Sequence, residues 1–152
     1  RGLLHRATHI FWVRPDGLLC LQRRSYAKDS CPGLLSSSCA GHLDSGEDYA
    51  EAARRELAEE LGVRVGTGVL LEIDACPAHP DLGNEFVRVY LLGGEHAARP
   101  DSHEVDALLW RRPAEVDAWV ARDPGLFSSS LLHLLRRPGV RRALGLNPHV
   151  EG

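Results

Sequence analysis

The run Gly41-His42-Leu43-Asp44-Ser45-Gly46-Glu47, continued by Arg55-Glu56-Leu57-Ala58-Glu59-Glu60-Leu61-Gly62-Val63, crowds carboxylates onto one stretch of helix. An ideal helix turns about 100° per residue. With Glu56 at zero, Glu60 falls at roughly +40° and Glu59 at roughly −60°, so the three share an arc of roughly 100°. Like charges at i,i+4 destabilise an isolated helix by a few tenths of a kcal/mol. A cation among them relieves that repulsion, and hard divalent cations take oxygen ligands. The bland alternative is an acidic, solvated helix face.

Tyr49, Ala53, Leu57 and Leu61 recur at i+4 beside the carboxylates. They form an apolar stripe that predicts a helix over Tyr49–Leu61 clamped on a sheet. Gly62 can provide the left-handed residue that ends the helix. Gly41 and Gly46 allow a tight preceding loop in which backbone approaches a metal or a phosphate.

The order of these residues resembles the Nudix box at nine specified positions across twenty-three residues, from Gly41 and Glu47 through Arg55, Glu56, Leu57, Glu59, Glu60 and Gly62 to Val63. The resemblance implies a loop–helix–loop that holds magnesium or manganese against a diphosphate while water attacks phosphorus. It implies Glu56, Glu59 and Glu60 as principal metal ligands, with the Gly41 carbonyl in addition. Arg55 is implied as the group that orients a carboxylate by a charge-assisted hydrogen bond. Glu47 is its partner or an outer metal ligand. Glu59 and Glu104 are the two candidates for the base that deprotonates a metal-polarised water.

Outside the box the chain resembles the Nudix branch related to isopentenyl-diphosphate isomerase. The similarity runs from Leu4-His5-Arg6-Ala7 through Gln22-Arg23-Arg24-Ser25, Pro32-Gly33 and Ala40-Gly41-His42 to Asn84-Glu85. That enzyme moves a double bond with a cysteine, a glutamate and a metal held partly by histidines. By this resemblance His5, His42 and Glu85 fall at metal-ligand positions, although His5 is expected to be structural. Arg24 and Lys28 match positions that hold the substrate's diphosphate, where Arg pairs two oxygens and Lys adds a compact charge. Three departures point away from isomerisation. Ala40 stands in place of the cysteine, Gly83 replaces a carboxylate two residues before Glu85, and Glu56 is kept where the isomerase loses it. Cys39 lies one residue early, and a one-residue slip in a strand reverses a side chain's face.

The 152 residues fit one domain, 1–152, able to bury a core. The composition, 43% hydrophobic and 26% charged, is that of an ordinary globular chain. A net charge of −3 gives no reason to expect nucleic acid as a partner, and no apolar run suggests a membrane span. Cys20, Cys31, Cys39 and Cys76 show no zinc-like grouping, and reduced thiols in a cytoplasmic protein are expected. The chain begins at Arg1 and contains no Met, so the natural N-terminus is expected to lie outside it.

Strands are predicted at Thr8–Val13, Leu18–Gln22, Val69–Ile73, Phe86–Leu91 and Val105–Trp110. Ser25 to Ser38 reads as a loop, Pro113–Ala121 as a helix, and Leu131, Leu132, Leu134 and Leu135 as a last apolar-faced helix. Trp12, Trp110 and Trp119 are expected in the core. The expected fold is an α/β/α sandwich around a curved mixed sheet. The expected function is metal-dependent hydrolysis of a small organic diphosphate, a nucleoside diphosphate derivative by preference. Isomerase-like activity and a non-catalytic phosphometabolite-binding module are the rivals, and oligomeric state is not legible.

Overall fold

A computed structural model describes residues 5–149, which places Leu4 of the upstream motif outside the described residues. Strand β1 (Arg6–Val13) is the hub of a mixed sheet. It runs parallel to β6 (Phe86–Gly93) along its whole length and antiparallel to β4 (Cys39–His42). At Val13 it meets Leu19 of β2 (Leu19–Arg24). Strand β2 pairs in turn with the two-residue β3 (Leu35–Ser36) and with β7 (Val105–Arg111), while β5 (Leu71–Cys76) borders β6.

Both faces of β1 are covered, which is why its sequence is an apolar run rather than an alternation. Ile10 and Trp12 pack with Ala53, Leu57 and Leu61 of helix α1 (Tyr49–Leu61). Ala7 and Phe11 pack on the other side with Val116 of α2 (Pro113–Arg122) and Leu131 and Leu134 of α3 (Ser129–Leu134). Val140 and Leu144, in and just beyond α4 (Pro138–Ala143), close that layer. The predicted sandwich of helices on both sides of a mixed sheet is thus what the chain adopts.

Helix α1 is held at both ends by its own sequence. The Asp48 carboxylate accepts from the Glu51 amide at 2.8 Å, and Glu51 accepts from the Asp48 amide at 2.9 Å. Gly62, at φ +66°, closes the C-terminus in the left-handed conformation. The polar connection after β6 then caps the last turn, with the amides of Arg99 and Asp101 donating to the carbonyls of Leu61 and Glu60. This ties the segment leading to Glu104 to the end of the carboxylate-bearing helix.

Three local expectations need correction. Ser25–Ser38 contains β3, whose pairing with β2 makes two residues a strand without any sequence signal of their own. The strand expected at Val69–Ile73 lies at Leu71–Cys76, because pairing with β6 sets its limits and a bulge falls between Glu72 and Asp74. The last apolar segment is followed by a further helix, α4, entered through Pro138. Among the described residues no helix is long and apolar enough to cross a membrane.

Candidate active site

Gly41, the carbonyl donor implied by the box, sits on β4 directly against α1. A Cβ added there would collide with the Glu56 side chain, so glycine leaves the space that the carboxyl occupies. From α1, Glu56 and Glu60 face a cavity of about 850 Å³ that also reaches Gly41, His42, Glu85 and Glu104. Glu59, on the same helix, is 58% exposed at its side chain and does not line that cavity.

Arg55 organises the carboxylates around it. Its Nε and Nη2 donate to Glu47 at 2.7 and 2.9 Å, a forked pairing. Nη1 donates to Glu56 at 2.7 Å and to Glu59 at 3.1 Å, and Nη2 also donates to the His42 carbonyl at 2.8 Å. Arg55 thus joins helix, preceding loop and β4. Glu47 is committed to it and lies outside the cavity wall.

Glu60 is the most shielded of the box carboxylates. Burial pushes its pKa up to about 7, opposed by a hydrogen bond from Gln22 Nε2 at 3.1 Å and reinforced by the charge of Glu56. Burial also raises Glu56, partly offset by Arg55. Two desolvated carboxyls side by side are costly when ionised unless a cation joins them. Their hard oxygen donors fit magnesium or manganese. These residues therefore match the metal that the box implies.

The same cavity is also lined by cations. Arg24 Nε donates to the Ser30 carbonyl at 2.9 Å, which fixes the guanidinium beside the Ala27–Cys31 rim. Lys28 is ion-paired with Glu104, joining two predicted site residues that both line the cavity. His42 is paired with Glu85, and the His5 ring lies edge-on to His42 at 6.4 Å. The structure therefore groups Arg24, Lys28, Gly41, His42, Glu56, Glu60, Glu85 and Glu104 around one cavity. Glu47 and Glu59 stand behind it on Arg55.

The β1–β4 register determines which residue near position 40 faces the cavity. His9 pairs with Ala40, and both line it; Ile10 pairs with Cys39, and both lie in the α1-side core. Burial and the nearby Glu60 charge hold the Cys39 thiol far above its ordinary pKa. Cys39 therefore does not reach the position that Ala40 occupies.

Sequence reading missed His9 and Ser128–Ser130 as cavity residues. His9 is buried, meets Ser37 Oγ at 2.7 Å, and has its pKa lowered to about 4 chiefly by desolvation. A histidine just before the apolar run Ile10–Val13 of a strand was its one available signal. Ser128 donates its amide to the Leu35 carbonyl of β3, a contact between distant segments that holds these serines beside the cavity.

Residues 3–129 match the NUDIX domain family. An isopentenyl-diphosphate Delta-isomerase of Nocardia farcinica is 36% identical over 137 residues, covering 88% of this chain and 78% of that protein. An uncharacterized Nudix hydrolase of Pseudomonas aeruginosa is 45% identical over 64 residues, covering 42% of this chain and 38% of the other. The crystal structure of DR0079 from Deinococcus radiodurans superposes with a TM-score of 0.77 at 28% identity, covering 93% of this chain and 85% of that one.

Proposed function

The chain belongs to the Nudix family, and on that basis we propose that it is a magnesium- or manganese-dependent hydrolase of a small organic diphosphate. A nucleoside diphosphate derivative is the preferred substrate class. The observation that carries this reading is the pair Glu56 and Glu60, one turn apart on α1 and lining the same cavity as Arg24 and Lys28. When bound, the cation would offset the diphosphate charge and polarise a phosphoryl oxygen.

The residues themselves have distinct tasks. Glu56 and Glu60 would hold the cation, with the Gly41 carbonyl beside them. Arg55 keeps Glu56 oriented through its 2.7 Å bond and is itself anchored by Glu47. Arg24 and Lys28 bind the diphosphate oxygens, and Lys28 exchanges Glu104 for substrate as it does so. Glu104, released into the cavity, takes the proton of the attacking water. Glu59 lies outside the cavity wall, so Glu104 is the better placed of the two candidate bases.

A second reading, isomerisation of an isopentenyl-type diphosphate, is favoured by the names of the relatives and by the pairing of His42 with Glu85. The site departs from it at Ala40, which brings no thiol to the cavity, and at Gly83, which brings no carboxylate. The deciding experiment incubates the protein and its Glu60→Gln variant with nucleoside diphosphate derivatives and with isopentenyl diphosphate, each with magnesium. Released phosphate or nucleoside monophosphate, lowered by orders of magnitude in the variant, is the expected result. Dimethylallyl diphosphate formed without phosphate release would establish the second reading instead.

A further inference from the structure

We propose that His79, Asp81 and His133 form a separate site for a borderline transition-metal ion of the zinc class, at the rim of the cavity. One donor atom from each of the three lies within 4.8 Å of the other two. Asp81 Oδ2 is the common partner, 3.5 Å from His79 Nδ1 and 3.3 Å from His133 Nδ1. Bonds of 2.0–2.2 Å to a tetrahedral ion place its ligand atoms about 3.3–3.5 Å apart. Both Asp81 distances fall in that range, and the donor atoms of the two histidines lie within 4.8 Å of each other.

The hydrogen bonds supply an independent reason. His79 Nδ1 accepts from the Asp81 amide at 3.0 Å, so in that bond it presents a lone pair. The same nitrogen faces the Asp81 carboxylate, which is also an acceptor. Two acceptors turned toward each other repel unless a proton or a cation lies between them. Either a proton on Nδ1 or a metal ion removes that repulsion at the cost of the amide contact, and a metal ion does so while taking the carboxylate oxygen and both imidazoles.

The scaffold brings the donors from two distant segments. His79 caps the short turn Pro80–Leu82, while His133 stands on α3. Ser129 Oγ donates to the Asp81 carbonyl at 3.1 Å, and the two rings lie 4.4 Å apart. Two imidazoles and one carboxylate suit zinc and its neighbours, unlike the all-oxygen donors of Glu56 and Glu60. Three protein donors leave a fourth position, and Asp81 borders the cavity, so a water or a substrate oxygen completes the shell.

The test is spectroscopic and independent of any catalytic reading. Chelator-treated protein is saturated with magnesium to fill the oxygen site and then titrated with Co2+. The wild type should develop the strong visible absorption of four-coordinate cobalt at one equivalent, bleached by Zn2+. Glu60→Gln should keep that band, whereas the exposed-site variant His79→Ala and the conservative His133→Gln should lose it with unchanged far-UV circular dichroism. No band in the wild type, or an unchanged band in both histidine variants, would overturn the site and leave only a hydrogen-bonded latch between the turn and α3.

Discussion

Gly41 on β4 lies so close beneath Glu56 of α1 that a single methyl group at position 41 would occupy the space of the carboxyl. Strand and helix are each rigid, so the side chain is what must move. Gly41→Ala should swing Glu56 away from Glu60 and out of Arg55's reach while leaving the fold in place. Misplacement of a catalytic group by about 1 Å can cost 10²-fold. The expectation is a loss of about 10²-fold in kcat/KM with a weakened magnesium requirement and an unchanged circular dichroism spectrum. Wild-type turnover in Gly41→Ala would refute the placement of Glu56 at the metal.

Stability should respond to pH through two buried groups that act in opposite senses. His9 is lowered from 6.5 to about 4, so between those values the unfolded chain binds the extra proton and stability rises with pH. Glu60 is raised from 4.5 to about 7, so in that window the folded protein binds the extra proton and stability falls as pH rises. Each group contributes at most about 1.4 kcal/mol per pH unit. In chelator, between pH 4.5 and 6.5, Glu60→Gln should become more stable with rising pH relative to wild type, and His9→Asn less stable. Parallel urea-denaturation profiles for all three proteins would contradict these assignments.

Thiol chemistry reads the β1–β4 register directly. Burial raises Cys20 to about 12, Cys76 to about 11 and Cys39 well above its usual value, while Cys31 borders the cavity. A disulfide reagent should therefore modify Cys31 quickly in the native protein and the other three only on unfolding. Ala40→Cys should add a second fast thiol, because residue 40 shares the cavity face with His9. If Ala40→Cys added none, residue 40 would not face the cavity.

Arg141 joins the far helical layer and is 4% exposed. It makes a forked pair with Asp117 at 3.0 and 2.9 Å and donates to the Leu135 carbonyl at 2.9 Å. Arg141→Met keeps the stem but leaves these acceptors unpaired. Because Asp117 is partly exposed and can rehydrate, the loss should be about 1–3 kcal/mol rather than that of a fully buried charge. Chemical denaturation measures it, and a change within error would mean the pair adds nothing.

The carboxylate helix, its C-terminal end and its apolar stripe were legible in the sequence, because each depends on contacts within a few residues. Gly62 marks the end, and Ala53, Leu57 and Leu61 mark the buried face. The strands that carry their own apolar runs were legible for the same reason. Strand β3 was not, since its two residues are strand only by virtue of β2. His9 and Ser128–Ser130 were also missed, because a place on a cavity wall leaves no local pattern.

Sequence by itself determined the family, the sandwich and the cluster of acids, through periodicity and residue order along one stretch. Tertiary structure decided which of those acids meet. It turned Glu56 and Glu60 inward and left Glu59 on Arg55, paired Lys28 with Glu104, and set Ala40 rather than Cys39 against the cavity. It also drew His79, Asp81 and His133 together from separate segments. The physical reason is common to all of these. Strand register and helix docking select the face on which a side chain emerges, and both are fixed by packing between residues far apart in the chain.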